Sequence, residues 1–124
     1  MNILILDDTK LRHERFAQIL ADHNLFHAYT FKEAQKIIRD NDIHMACLDH
    51  DLDEEYEHAT FYVNENNEKK FYNGADFALW LSAQDTKIPK KILIHSWNPQ
   101  GAENIKNNLS KLDNVEVVVR PFNK

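Results

Sequence analysis

Three short stretches carry side chains able to hold an ion or move a proton. The first is the acidic pair Asp7-Asp8. The second is "CLDHDLD" over 47–53, where an apolar run ends abruptly in Asp49, His50, Asp51 and Asp53. The third is "HSWNPQGA" over 95–102, with His95, Ser96 and Asn98. Carboxylates crowded at one edge repel each other, and a divalent cation between them relieves the repulsion. Hard oxygen donors suit Mg²⁺ or Mn²⁺, which makes Asp7, Asp8, Asp49 and Asp51 the candidate ligands. Such an ion polarises a phosphoryl oxygen or activates water. Imidazoles ordinarily titrate near neutrality, so His50 and His95 are candidates for proton transfer. Asn98-Pro99-Gln100-Gly101 reads as the opening of a helix. Free backbone N–H groups there hold an anion, Gly101 allows close approach, and Ser96 adds a hydroxyl beside them. Arg12 and Arg120 each offer a fork of donors to a phosphate.

These groups matter only if the chain brings them together, so the elements between them come next. Short apolar runs recur as "NILIL" (2–6), "FHAYT" (26–30), "HMACL" (44–48), "KILIH" (91–95) and "VEVVV" (115–119). Such runs suit strands buried on both faces of a parallel sheet. Between them, residues 9–22, 31–41, 74–84 and 99–112 carry apolar stripes at helical spacing, such as Phe31, Ala34, Ile37 and Ile38. Thr30-x-x-Glu33 is a capping box, Asn98-Pro99 an N-cap with proline at the first helical position, and Asn73 caps the third helix. Asp8 or Thr9 would cap the first. The expected fold is a doubly wound α/β sandwich with five parallel strands. Ligands bind such sheets outside the carboxyl ends of the strands. The first strand delivers Asp7 and Asp8 there, the third Asp49, His50 and Asp51, the fourth His95 to Asn98, and the fifth Arg120. Residues 53–73 break the rhythm. "ATFYV", "NENN" and "EKKFY" read as a β-hairpin, with a lid over the site as its functional reading and a decorative excursion as the plain one.

The totals set limits. At 124 residues, one domain with a real core spanning 1–124 is expected. Hydrophobic residues make up 43% and no run is long enough to cross a membrane. No signal peptide is evident, because Asp7-Asp8 interrupts the first apolar run, so a cytoplasmic location is expected. A net charge of −5 argues against bulk nucleic-acid binding but leaves room for a small nucleotide or an RNA end. The single Cys47 excludes an internal disulfide and reads as a buried hydrophobe.

The layout resembles a response-regulator receiver domain, with sheet order 2-1-3-4-5. The resemblance rests on Asp7-Asp8, Asp49, Asn73-Gly74-Ala75-Asp76 and Arg120-Pro121-Phe122. It implies a Mg²⁺ site on the acidic pair and Asp49, with Asp49 as phosphoacceptor. The chain departs from that pattern. His95 stands at the switch-hydroxyl position, with Ser96 one residue later, and Arg120 replaces the lysine. His50 follows the acceptor-like aspartate. The chain stops at Lys124, without room for a last helix, which would bare an apolar sheet face and favour a homodimer. "LDD" with Arg12-His13, "LDHDL" and "HSWNPQGA" together resemble the divergent cyclic-phosphate-processing receiver-like family. That likeness implies a phosphoesterase-type enzyme acting on a cyclic phosphate of a nucleotide or RNA end. Opening a cyclic phosphodiester needs a base for water and an acid for the leaving alkoxide, roles that fit His50 and His95, assisted by Asp49. The alternative is a non-enzymatic phosphoacceptor, or a module binding a small ligand or partner. Plain readings stand beside these: a satisfied loop histidine at His50, a buried one at His95, and simple N-capping at Asn98. Trp97 is a candidate to stack on a base. The aromatics Tyr56, Phe61, Tyr62, Phe71 and Tyr72 would close over a ligand or cover the bare sheet. His13, His23, His27, His44 and His58 read as surface or packing residues. Alternation along a strand sets Asp49 and Asp51 on one side and His50 on the other, so all meet only if the chain turns at the sheet edge.

Overall fold

The computed structural model describes residues 1–53, 59–84 and 87–121. Tyr56, His58 and Phe122 lie outside that set. The chain runs β1 (Asn2–Leu6), α1 (Lys10–Ile19), β2 (Asn24–Ala28), α2 (Phe31–Asp40), β3 (Met45–Leu48), β4 (Phe61–Val63), β5 (Lys69–Phe71), α3 (Gly74–Ser82), β6 (Lys91–Ile94), α4 (Pro99–Leu109) and β7 (Glu116–Val119). Five strands form a parallel sheet in the order β2-β1-β3-β6-β7, and β4-β5 form a separate antiparallel hairpin. With the hairpin strands set aside, this is the expected 2-1-3-4-5 order.

Side-chain alternation divides the core in two. Leu4, Leu6, Ala46, Leu48, Ile92 and Ile94 face α2, α3 and α4, where Phe77, Leu81, Ile105 and Leu109 are buried against them. Ile3, Ile5, Met45 and Cys47 face α1 and pack on Phe16. Full burial of each such side chain contributes about 1.5–3 kcal/mol, which is why the central strands are apolar throughout. Among the described residues α1 is the one helix on its face. A groove of about 300 Å³ beside it is lined by Phe16, Ile19, Leu93, His95, Arg15 and Arg120.

The caps hold with one exception. Asn73 and Asp76 form a reciprocal capping box, Asn98 accepts from the Gly101 N–H at 3.0 Å, and Thr30 Oγ1 accepts from the Glu33 N–H at 3.2 Å. Thr9 occupies the N-cap of α1 without a side-chain cap bond. Asp7 Oδ1 accepts the Thr9 N–H instead, at 2.8 Å.

The hairpin is where the sequence suggests, but it turns away from the site. Tyr72 stacks on Phe31 with ring centroids 4.2 Å apart. Lys32 donates its backbone N–H to Thr60 Oγ1 at 3.2 Å. Both contacts anchor the hairpin to the start of α2, across the sheet from α1. Its described aromatics therefore neither cover the α1 face nor line the cleft described below. The lid expectation is corrected accordingly.

Candidate functional site

The site begins as one rung of the sheet. Leu6, Leu48 and Ile94 are in register across β1, β3 and β6. One residue further stand Asp7, Asp49 and His95. The ladder continues through them: Asp49 N–H donates to the Leu6 carbonyl and His95 N–H to the Leu48 carbonyl, both at 3.0 Å. With a period of two, all three side chains fall on the α1 side. They are deeply buried, at 0%, 6% and 2% exposure. Asp7, Asp49 and His95 each offer a ligand atom within 4.8 Å of the others.

Arg12, in the first turn of α1, reaches into this cluster. Its Nε donates to Asp7 Oδ2 at 2.7 Å, and its Nη2 to Asp49 Oδ2 at 3.2 Å and Asp8 Oδ1 at 3.3 Å. His95 Nε2 donates to the same Asp7 Oδ2 at 2.7 Å, with its ring edge-on to Phe16 at 5.0 Å. Burial alone raises the Asp7 pKa, but hydrogen bonds from His95, Arg12 and Thr9 outweigh it and bring it down to about 2. Asp49 goes the other way. Burial, and then the charge of Asp7, push it up to about 6. Asp8 is also raised, first by burial and then by Asp7. Burial disfavours the Arg12 cation, yet the bond to Asp7 and the charges of Asp7, Asp49 and Asp8 hold it above its ordinary value.

Beyond the rung the two chain ends diverge, as alternation requires. His50 turns to the α4 side. Its Nδ1 lies 2.7 Å from Asp51 Oδ1, while its own N–H donates to Asp49 Oδ1 at 2.9 Å. Its ring lies on Gly101: a Cβ there would stand 2.4 Å from His50 Cγ. Gly101 thus seats His50 rather than a ligand, and its N–H is occupied by Asn98. Gly74 does similar work under β3, since a Cβ would meet the Asp49 carbonyl oxygen at 1.9 Å.

The cleft above the rung holds about 190 Å³ and is lined by Asp8, Thr9, Arg12, Asp49, Asp51, Ser96, Trp97 and Asn98. Six of these — Asp8, Arg12, Asp49, Asp51, Ser96 and Asn98 — are sequence candidates, and Trp97 forms its exposed lip at 52%. Neither histidine lines it. His95 acts on the cleft through Asp7 and Arg12, and His50 through Asp51. That replaces the expectation of two imidazoles flanking one phosphorus. Arg120 is not brought to the cleft; it belongs to the groove beside α1.

Two residues read from sequence only as a candidate helix cap, Thr9, and as a surface or packing residue, His13, also shape the site. Thr9 contributes its N–H to Asp7 and its hydroxyl to Asp8 Oδ1 at 3.2 Å. Its place directly after the acidic pair was the available signal. His13 is buried, with Nε2 2.8 Å from the Asp7 carbonyl oxygen and Nδ1 2.6 Å from His27 Nδ1, and it stacks on Tyr29 at 4.0 Å. It is a packing residue that fixes the backbone of the acidic pair.

The cation expected between the carboxylates can now be tested against the geometry. The donor cluster is present. However, Asp7 Oδ2 and Asp49 Oδ2 both carry the Arg12 guanidinium. As arranged, the residues do not fit a divalent ion while Arg12 is seated.

A five-stranded 2-1-3-4-5 sheet with acidic residues at its carboxyl edge is the architecture of a receiver domain, and solved structures agree. The receiver domain of a putative LuxO repressor protein from Vibrio parahaemolyticus superposes with a TM-score of 0.66 at 18% identity, over 98% of this chain and 79% of that one. A CheY-like receiver from Methanospirillum hungatei JF-1 gives 0.64 at 16% identity, over 98% and 82%. NtrX from Brucella abortus gives 0.66 at 18% identity, where this chain covers only 24% of the other's length. These likenesses establish the fold. No curated protein matches the sequence. The family model for the cyclic-phosphate processing receiver domain matches residues 2–111, and the chain belongs to that family. Among the described residues, no helix is long and apolar enough to cross a membrane.

Proposed function

We propose that the protein is a phosphoesterase-type enzyme that opens a cyclic phosphate on a nucleotide or RNA end. The observation that carries this reading is the cleft where Arg12, Asp49, Asp51, Ser96 and Asn98 converge, in a chain whose family is described by cyclic-phosphate processing. Arg12 Nη1, which makes none of the contacts to Asp7, Asp8 and Asp49, is the donor left for a phosphoryl oxygen. The Ser96 hydroxyl accepts the Asn98 N–H at 3.1 Å and keeps its own proton to donate.

Hydrolysis forms one bond from water oxygen to phosphorus and breaks one from phosphorus to the ester oxygen. Water gives up a proton and the leaving alkoxide gains one. Asp51, exposed and oriented by His50, is placed to take the first. Asp49, whose carboxyl titrates at about 6, keeps a proton in a useful share of molecules near neutrality and is placed to supply the second. His50 and His95 are then positioning residues. The phosphoacceptor alternative draws on the receiver fold.

The test is a panel of 2′,3′-cyclic and 3′,5′-cyclic nucleotides, with and without EDTA, against wild type, Asp49→Asn, His50→Ala and His95→Ala. Turnover that Asp49→Asn abolishes supports the reading. No turnover on any substrate, together with labelling of Asp49 by acetyl phosphate, overturns it. Binding without turnover would point to a ligand-holding module instead.

A further inference from the structure

We infer that Arg12 is a built-in replacement for the divalent cation of the receiver fold, so that this acidic centre excludes Mg²⁺ and Mn²⁺ as long as the guanidinium is seated. Three carboxylates face one another here, two of them nearly free of solvent. Such a group requires a positive partner. The guanidinium supplies it with three hydrogen bonds, one to each of Asp7, Asp8 and Asp49.

The oxygens of Asp7 and Asp49 also already accept hydrogen bonds. Asp7 Oδ2 accepts from both Arg12 and His95, and Asp7 Oδ1 accepts from Thr9. Asp49 Oδ1 accepts from His50 and Oδ2 from Arg12. An octahedral ion needs several oxygens turned toward one point at about 2.1 Å, which is where the guanidinium lies. A cation entering would stand against a like charge. Binding the ion and seating Arg12 are therefore mutually exclusive. Arg12 is held by its place in the first turn of α1, whose backbone is tied to the acidic pair through Thr9. The ion would have to displace an anchored side chain rather than a mobile one.

The inference concerns the same residues as the proposed activity but is read from ion binding, so each fails separately. Mn²⁺ is titrated into wild type and Arg12→Ala, with free ion followed by electron paramagnetic resonance. Arg12→Ala is expected to bind Mn²⁺ at least tenfold more tightly than wild type, because removal of the guanidinium leaves the carboxylates without a partner. Arg12→Lys, which keeps the charge, is expected to stay near wild type. On the wild type itself, the Arg12 Nε–H resonance is followed through a Mg²⁺ titration, a readout that needs no variant to fold. It is expected to stay in its hydrogen-bonded position. Wild type that binds Mn²⁺ as tightly as Arg12→Ala, or backbone amide shifts at Asp7, Asp8 and Asp49 that saturate with Mg²⁺, would show that the centre takes the ion despite the arginine and overturn the inference. Failure of a folded Arg12→Ala to bind Mn²⁺ would overturn it too.

Discussion

Gly101→Ala isolates what His50 does. In the structure an added Cβ at Gly101 would stand 2.4 Å from His50 Cγ and 2.7 Å from its Nδ1. Carbon atoms rest at about 3.5–4.0 Å from each other, so the ring must retreat by more than ~1 Å. The atoms struck include the root of the imidazole, so a rotation of the far end cannot relieve the contact. The retreat pulls Nδ1 from Asp51 Oδ1, now 2.7 Å away. Overpacking of this kind costs about 1–3 kcal/mol, while alanine in place of glycine inside α4 returns about 1 kcal/mol of helix propensity. The net loss of stability is therefore small, about 0–2 kcal/mol, and the protein folds. Turnover of a cyclic nucleotide should fall much further, by roughly 10²-fold for a misplacement of this size. Urea denaturation measures the first quantity. Side-chain NMR of the imidazoles measures the displacement, with His50 resonances moving and those of His95 unmoved. If His50 resonances do not move, Gly101 is not its seat and the account of the Asp51 side of the cleft is wrong.

Two further outcomes follow from the same geometry. Asp49 titrates at about 6 against an ordinary value of 3.8, so folding favours its protonated form. Its contribution is fully present below the unfolded value and is lost as pH rises through the folded one. At neutrality the ionised carboxylate costs up to about 3 kcal/mol, with the favourable charge of Arg12 already included in the raised value. Asp49→Asn is thus expected to match wild type near the lower of these values and to gain on it progressively up to the higher one, by urea denaturation across that window. A pH-independent difference would refute this. Tyr72→Ala removes the ring stacked on Phe31 and should destabilise the protein by about 1–3 kcal/mol with kcat and KM unchanged, as a hairpin anchored to α2 requires; a rise in KM would restore the lid.

The parts of the fold most legible from sequence were the continuous apolar runs, buried almost throughout in β1 and β3 and only half-buried in β7. β1, β3, β6 and β7 fall within a residue of expectation. β2 does not: it begins at Asn24 rather than Phe26. It is an edge strand whose exposed Asn24 and His27 give no apolar signal. α1 ends at Ile19, short of the expected 22, because Leu20 already turns out of the helix. The rung of Asp7, Asp49 and His95 was legible because parallel strands ending at one edge leave few other arrangements. What could not be read was how long side chains spend their reach. Arg12 resembles any exposed helix arginine until α1 sets it over the carboxylates. His50 faces a glycine, Gly101, far along the chain from the end of β3 at Leu48, and no local pattern reports such a contact. Alternation sets His50 on the side away from Asp49, and at this edge it prevails over the appeal of two paired histidines.

The rung has a consequence for how the molecule opens. The amides of Asp7, Asp49 and His95 each donate to the carbonyl of a neighbouring strand, in the most buried part of the sheet. Their hydrogen exchange with solvent should therefore require global unfolding, whereas the loops bearing Asp51, Trp97 and Asn98 should exchange through local fluctuations. One wall of the cleft is as permanent as the fold and the other is free to adjust. A ligand entering there can reshape the loop wall alone, and its binding should appear as new protection on that side while the rung, already closed, registers nothing.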